Sequence, residues 1–385
     1  KTWSSCAKHI RNCWPPVNSA MAQHCMYGRV RFVQVVRKLA SPMVSLVALV
    51  LLVTALLGAS SSSLGSSLMS AGGTSVVHPP QAAHGTPITA SEALTQSPTE
   101  EPAATFLGMD EELLLARLRH AEVRSVHFSH GGSSLVLRIE FVDGSRAAFK
   151  PQQIHPQSVP RKEAAAYQLA RKLGITAVPP TVMRALSRDE LLRKLDAESQ
   201  WLRPRLLREA IFDAQGVTVG SMMYWVPSLS DLRLDSDASI RAWTTELSQS
   251  GELTEERSQI LGQLSTLLAF DVIQNNSDRF SGGNILGSRD GRTMFFIDNA
   301  FGFQTDRQGH LRAIGYLSRC QKFSRHLWTT LQVLTDDQLV FTDPLTGPLL
   351  SADEISALRS RRDRVVRYLG QLIQSHGPEA VLAFR

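Results

Sequence analysis
Between Lys38 and Glu92 the chain carries no charged residue, and residues 40–59 within that interval read "ASPMVSLVALVLLVTALLGA". About 20 apolar residues suffice to cross a bilayer as a helix. Seven basic residues (Lys1, Lys8, Arg11, Arg29, Arg31, Arg37 and Lys38) precede this stretch, and no acidic residue accompanies them. That asymmetry predicts a transmembrane signal-anchor with a cytosolic N-terminus. The alternatives are a buried core helix, which would normally show a polar face, and a cleaved signal peptide, which the small residues "GASSS" would permit. The expected organisation is a basic cytosolic tail over 1–39, the anchor over 40–59, a stem over 60–107 and a folded domain over 108–385. The stem is rich in Ser, Gly, Ala, Thr and Pro ("SSSLGSSLMSAGGTS", "HPPQAAHGTP") and has too little apolar surface to repay ordering.

The net charge of +6 belongs to the tail. Removing its seven cations from the 41 in the chain leaves 34 against 35 acidic residues, so the charge of the body lends nucleic-acid binding little support. Of the four cysteines only Cys320 lies beyond the anchor, so the domain has no partner for an internal disulfide. No CxxC or histidine-rich cluster points to structural zinc.

The folded part begins with a helical pattern in "MDEELLLARLRHAE". Next, Leu135, Leu137, Ile139 and Phe141 alternate with Val136, Arg138 and Glu140 as in a half-buried strand. Asp143-Gly144 signals a hairpin turn, and the second strand ends at Lys150 before Pro151. The helix "RKEAAAYQLARKLG" follows. It places Glu163 on the face of Ala166, Ala170 and Leu173. A carboxylate aimed inward needs a cation; alternatively Glu163 is a helix-start acid favoured by the dipole. "GVTVGSMMYWV" reads as a strand pair around Gly220. A long helix, "TEERSQILGQLSTLLAFDVIQ", then leads into "NNSDRFSGGNILGSRDGRTMFFIDNAFGF". Within this stretch Asp290-Gly291 signals a hairpin, and Asp298 closes its second strand. Ser351 and Glu354 have capping-box spacing before the C-terminal helix.

In order, the chain offers a glycine pair before a strand, a lysine ending the next, and an inward glutamate on the following helix. After a long helix come an aspartate in a loop, an asparagine, a hairpin and a second aspartate. Phosphoryl transfer needs these parts: backbone amides and a lysine on the phosphates, one aspartate at the acceptor hydroxyl, and an amide and a carboxylate on the metal. Such catalysis rests on positioning and charge, so these residue types suffice.

The pieces "GGSSLVLRIEFVDGSRAAFKP", "KEAAAYQLARKLGITAVPPTV", "GSMMYWVP", "FDVIQNNSDR", "FFIDNAFGF" and "YLSRCQKFS" resemble the Golgi casein kinase family, the secretory-pathway group that includes the proteoglycan xylosylkinase and, more distantly, Four-jointed. The resemblance covers roughly 250 residues. It implies an α+β, kinase-like two-lobed fold, with an antiparallel sheet and one helix in the N-lobe and a mostly helical C-lobe. It further implies a type II Golgi membrane protein with its catalytic domain in the lumen, ATP as donor, and manganese as the ion, with magnesium the alternative. By the same resemblance Lys150 holds phosphate and Glu163 pairs with it and touches the metal. Ser134 stands where a nucleotide-contacting glutamine is usual, Met223, Tyr224, Trp225 and Val226 form the hinge on adenine, Asp278 is catalytic, and Asp298 binds metal and nucleotide.

The family's His after Asp-Arg is Phe280 here, its cysteine-rich insertion is absent, and only Cys320 remains of a doubled cysteine. "SGGN" resembles phosphatidylinositol 4-kinases, in which an asparagine shortly after Asp-Arg binds metal. Asn284 is accordingly either a metal and nucleotide ligand or an asparagine that opens the hairpin. The sequon at Asn275 lies too close to Asp278 to be accessible. Acceptors consistent with the sequence are Ser/Thr of secreted proteins or a xylose hydroxyl of proteoglycan linkers. A pseudokinase activator of a partner, and a homo- or heterodimer, are further alternatives.

Overall fold
The computed structural model describes residues 104–129, 133–281 and 283–385. The tail, the apolar span and nearly all of the stem lie outside the described residues, as does the glycine pair Gly131–Gly132. No helix among the described residues is long and apolar enough to cross a membrane.

A short hairpin, β1 (Thr105–Phe106) with β2 (Met109–Asp110), opens into helix α1 (Glu111–His120). Asp110 caps that helix by accepting from the Leu113 N–H. Strands β3 (Val123–Phe128), β4 (Leu137–Phe141), β5 (Arg146–Pro151), β6 (Thr181–Ser187) and β7 (Val217–Tyr224) form one antiparallel sheet in the order β3-β4-β5-β7-β6. The alternation is realised: Leu137, Ile139 and Phe141 of β4, with Ala147 and Phe149 of β5, are fully buried. Leu135 is buried too, but precedes the strand.

Helix α2 (Pro160–Lys172) links β5 to β6, with Pro160 at its first turn. It stops at Gly174, whose φ of +67° suits glycine. Two short helices, α3 (Arg188–Lys194) and α4 (Arg203–Glu209), join β6 to β7, so the N-lobe carries more helix than α2 alone. In place of a strand pair around Gly220, β7 runs straight through it. Gly220 pairs with Pro151 on one side and Arg184 on the other. A side chain there would be driven into the Lys150 carbonyl oxygen and within 2.7 Å of the Phe149 ring. The glycine thus marks a close approach of β7 to β5 and no turn.

The C-lobe comprises β8 (Ser230–Asp231), α5 (Asp237–Glu246), α6 (Glu255–Gln274), the strands β9 (Leu286–Gly287) and β10 (Met294–Phe295), α7 (Leu311–Leu317) and α8 (Arg325–Val333). It is completed by β11 (Thr342–Asp343), β12 (Gly347–Pro348), α9 (Ala352–His376) and α10 (Pro378–Val381). Helix α6 is the lobe's axis, with Ile260, Leu264, Leu267 and Leu268 buried as the stripe predicts. β9 and β10 pair antiparallel as the Asp290-Gly291 signal requires, but β10 ends at Phe295, three residues before Asp298. The predicted capping box forms at the start of α9. Cys320 is a buried free thiol whose Sγ donates to the Lys322 carbonyl, and it is the only cysteine among the described residues.

Candidate active site
Lys150, next to last in β5, is buried, and its Nζ donates to two carboxylates. Glu163 Oε1 lies at 2.6 Å and Asp298 Oδ1 at 2.7 Å. The first acid comes from α2 and the second from the loop after β10, so one ammonium joins sheet, helix and C-lobe. Glu163 is 2% exposed and its other oxygen accepts the Asn299 N–H at 2.9 Å. It is therefore the inward acid with a cation and not a solvated helix-start residue. Burial works against the Lys150 charge, but the two carboxylates outweigh it and hold its pKa above the usual lysine range. The Lys150 charge in turn holds Asp298 below the usual carboxylate range, against its own desolvation.

The Asp298 side chain remains 47% exposed, so this carboxylate borders solvent while its partners do not. Its backbone stands at φ +57°, in the left-handed region. Instead of closing a strand, Asp298 turns the chain. Aspartate is among the few non-glycine residues that occupy this region readily.

The second aspartate sits on the loop after α6. That helix ends at Asn275, itself left-handed (φ +62°) and 3% exposed, which explains why the sequon there is inaccessible. Asn276 spans the two aspartate loops. Its Oδ1 accepts the Asp278 N–H at 3.1 Å, and its Nδ2 donates to the Asp298 carbonyl at 3.2 Å. Asn284 Nδ2 donates to the Asp278 carbonyl at 3.0 Å and approaches its Oδ2 at 3.4 Å. Asn284, expected either to bind the metal or to open the hairpin, is therefore joined to Asp278 in this structure, where it also ties down the start of the β9–β10 hairpin.

Beneath both loops lies Arg279, 2% exposed, with no outlet to solvent for its charge. It pairs with Asp271 of α6 at 3.1 Å and donates to Asn299 Oδ1 at 2.7 Å. It also donates to the carbonyls of Asn284, at 3.3 Å, and Ile297. One guanidinium thus gathers the α6 helix, the Asp278 loop and the Asp298 loop. Burial pushes the Asp271 carboxyl up, against the pull of Arg279. Phe280 stacks on Tyr316 of α7, with ring centroids 3.9 Å apart and an interplanar angle of 23°. This aromatic contact docks the Asp278 loop on α7.

Met223 and Tyr224 end β7 opposite Ala148 and Ala147, and Trp225 N–H bonds the Arg146 carbonyl. Val226 is buried with Phe106, Leu114 and Phe295, so its side chain serves packing. Ser134 is half-buried beside Leu135, whose N–H and carbonyl are both held by the buried amide of Gln153. Sequence reasoning did not identify Gln153, Asn276, Arg279 or Asn299. The "DN" after "FFI" was a signal for Asn299; nothing local distinguishes Arg279 from a surface arginine. A separate cleft of about 1060 Å³ is lined by Phe106, Ile175, Gln263, Met294 and Phe384, and none of Lys150, Glu163, Asp278 or Asp298 borders it.

No protein-family model matches the chain, and no curated protein matches it. Solved structures do. The crystal structure of the Golgi casein kinase is 16% identical at a TM-score of 0.56, over 71% of this chain and 78% of that one. A Golgi casein kinase structure with Mn/ADP bound is 17% identical with the same score and coverage. The structure of hydra Fam20 with sugar is 17% identical at a TM-score of 0.54, over 71% of this chain and 93% of that one. The chain has the two-lobed kinase fold of these proteins.

Proposed function
We propose that this protein is a secretory-pathway kinase, related to the Golgi casein kinase, that transfers the γ-phosphate of ATP to Ser/Thr hydroxyls of secreted proteins. The observation that carries this reading is the buried Lys150 held between Glu163 and Asp298, with Asp278 tied to the same loop through Asn276. A pseudokinase would be expected to have lost one of Lys150, Glu163, Asp278 and Asp298; all four are present. Lys150 grips a nucleotide phosphate. The acceptor oxygen attacks the γ-phosphorus as the bond to ADP breaks, and the hydroxyl proton passes to Asp278.

A divalent ion fits the donors present. Asp298 and Glu163 offer hard carboxylate oxygens, suited to Mn²⁺ or Mg²⁺. Among the described residues no third acid, histidine or cysteine joins them. That small donor set suits an ion whose remaining positions are filled by nucleotide phosphates and water. Asn284 would join only by turning from Asp278. Bound, the ion would neutralise charge on the phosphates. The family relation and the basic tail before the apolar span support a Golgi, type II placement.

The likeness to a Fam20 protein solved with sugar supports a second reading, transfer to a xylose hydroxyl of a proteoglycan linker. Radiolabelled ATP with manganese, offered with casein and with a xylose-containing tetrasaccharide, separates the two. Label on casein is expected. Label on the glycan alone would favour the second reading, and no transfer with no nucleotide binding would overturn both.

A further inference from the structure
Helix α2 carries Glu163, and in a two-lobed kinase fold such a helix can swing away from its lysine. Here its first turn is tied to the other lobe. Arg161 forks onto the Glu354 carboxylate, Nη1 to Oε2 at 2.7 Å and Nη2 to Oε1 at 3.0 Å, and also donates to the Leu349 carbonyl at 2.6 Å. Lys162, 4% exposed, lies 3.3 Å from Glu354 Oε1. Nearly two turns further on, Gln168 exchanges two hydrogen bonds with the Thr342 backbone, at 2.8 and 3.2 Å. Glu354 is itself buried at the first turn of α9, where its Oε2 accepts the Ser351 N–H at 2.8 Å.

A capping box requires only that last bond. Here the same carboxylate also meets two cations from the N-lobe, in residues 161 and 162, immediately before Glu163. Seven residues along α9, on the same face, fully buried Arg361 donates to the carbonyls of Ile273, Gln304 and Asp306 at 2.9, 2.9 and 2.6 Å. One side of α9 therefore holds α2, the end of α6 and the segment after Asp298.

We propose that Glu354 is a positioning residue for phosphoryl transfer: through Arg161 and Lys162 it fixes the start of α2, and so keeps Glu163 on Lys150. The proposal rests on the phosphotransferase reading. It makes the inward position of α2 a built-in property of the fold and not one that an activating event must install.

Glu354→Gln tests it, because glutamine still serves a capping box and leaves the start of α9 intact. Amide exchange at residues 161–165 should quicken about tenfold or more while that of 352–356 holds. Turnover should fall by roughly 10- to 100-fold with acceptor KM unchanged. Arg161→Met, at a half-exposed site, should reproduce both effects if the first variant folds poorly. Unaltered exchange at 161–165 in both variants would overturn the clamp. Faster exchange with full turnover would overturn the positioning role. A wild-type chain that bound no nucleotide would overturn the phosphotransferase reading instead, and exchange would still decide whether Glu354 holds α2.

Discussion

Arg279 and Asp271 form an ion pair, at 3.1 and 3.3 Å, between side chains only 2% and 3% exposed. A buried charge of this kind is costly to orphan. Arg279→Met should therefore destabilise the domain by about 3–5 kcal/mol, and Asp271→Asn by a similar amount, read from urea midpoints. The double variant should lose less than the sum, because neither charge is then left alone. Full additivity would mean that the two groups act independently.

The two proposed site aspartates should fail differently. Asp298→Asn is the better probe of that position, because asparagine tolerates the left-handed backbone and alanine does not. It should weaken metal-dependent nucleotide binding and abolish transfer. Asp278→Asn should leave nucleotide binding nearly intact while lowering turnover by about 10²–10⁴-fold. Calorimetry with manganese, beside melting temperature and transfer rate, distinguishes these outcomes. Equal loss of binding in both, in step with stability, would sink the separate roles.

Much of this site was legible because it depends on local pattern. Alternation placed Lys150 at a strand end, and helical spacing put Glu163 on the buried face of α2. The turn at Asp290-Gly291 and the box at Ser351 are short-range signals of the same kind. What escaped depends on contacts distant in sequence. Arg279 is a hub only because Asp271, Asn284, Ile297 and Asn299 converge on it, and no window of sequence contains that convergence. The clamp at Glu354 reaches back 193 residues to Arg161. Gly220 misled for the opposite reason: its local signal was real, but it marked a close approach of paired strands.

That close approach has a measurable consequence. Away from crowding, alanine in a strand is favoured over glycine by about 0.5–1 kcal/mol. At Gly220 the added carbon meets the Lys150 carbonyl, which is backbone and cannot step aside. Gly220→Ala should thus destabilise, by roughly 1–3 kcal/mol, with nucleotide affinity falling as β5 shifts Lys150. A stabilised variant would show that the strands can part without cost.

The acid limb of stability should report on Glu354. Burial raises its pKa. Hydrogen bonds from Arg161 and Ser351, with the charges of Arg161 and Lys162, more than reverse this and hold the carboxyl below the usual glutamate range. Because the folded pKa lies below the unfolded value of about 4.3, the unfolded chain takes up the proton first as pH falls. The stabilisation is therefore complete above roughly pH 5 and is lost on descending through the folded pKa. Asp143, Asp196 and Glu209, also held low, act with the same sign, so wild type should weaken in acid. Asp271, whose pKa burial raises, opposes them. Glu354→Gln isolates one contribution. The stability gap between wild type and this variant, from urea titrations at each pH, should be constant from pH 7 to 5 and narrow below pH 4. A gap that stayed constant to pH 3 would mean that Glu354 holds α2 by shape and not by charge, and the clamp would no longer be an ion pair.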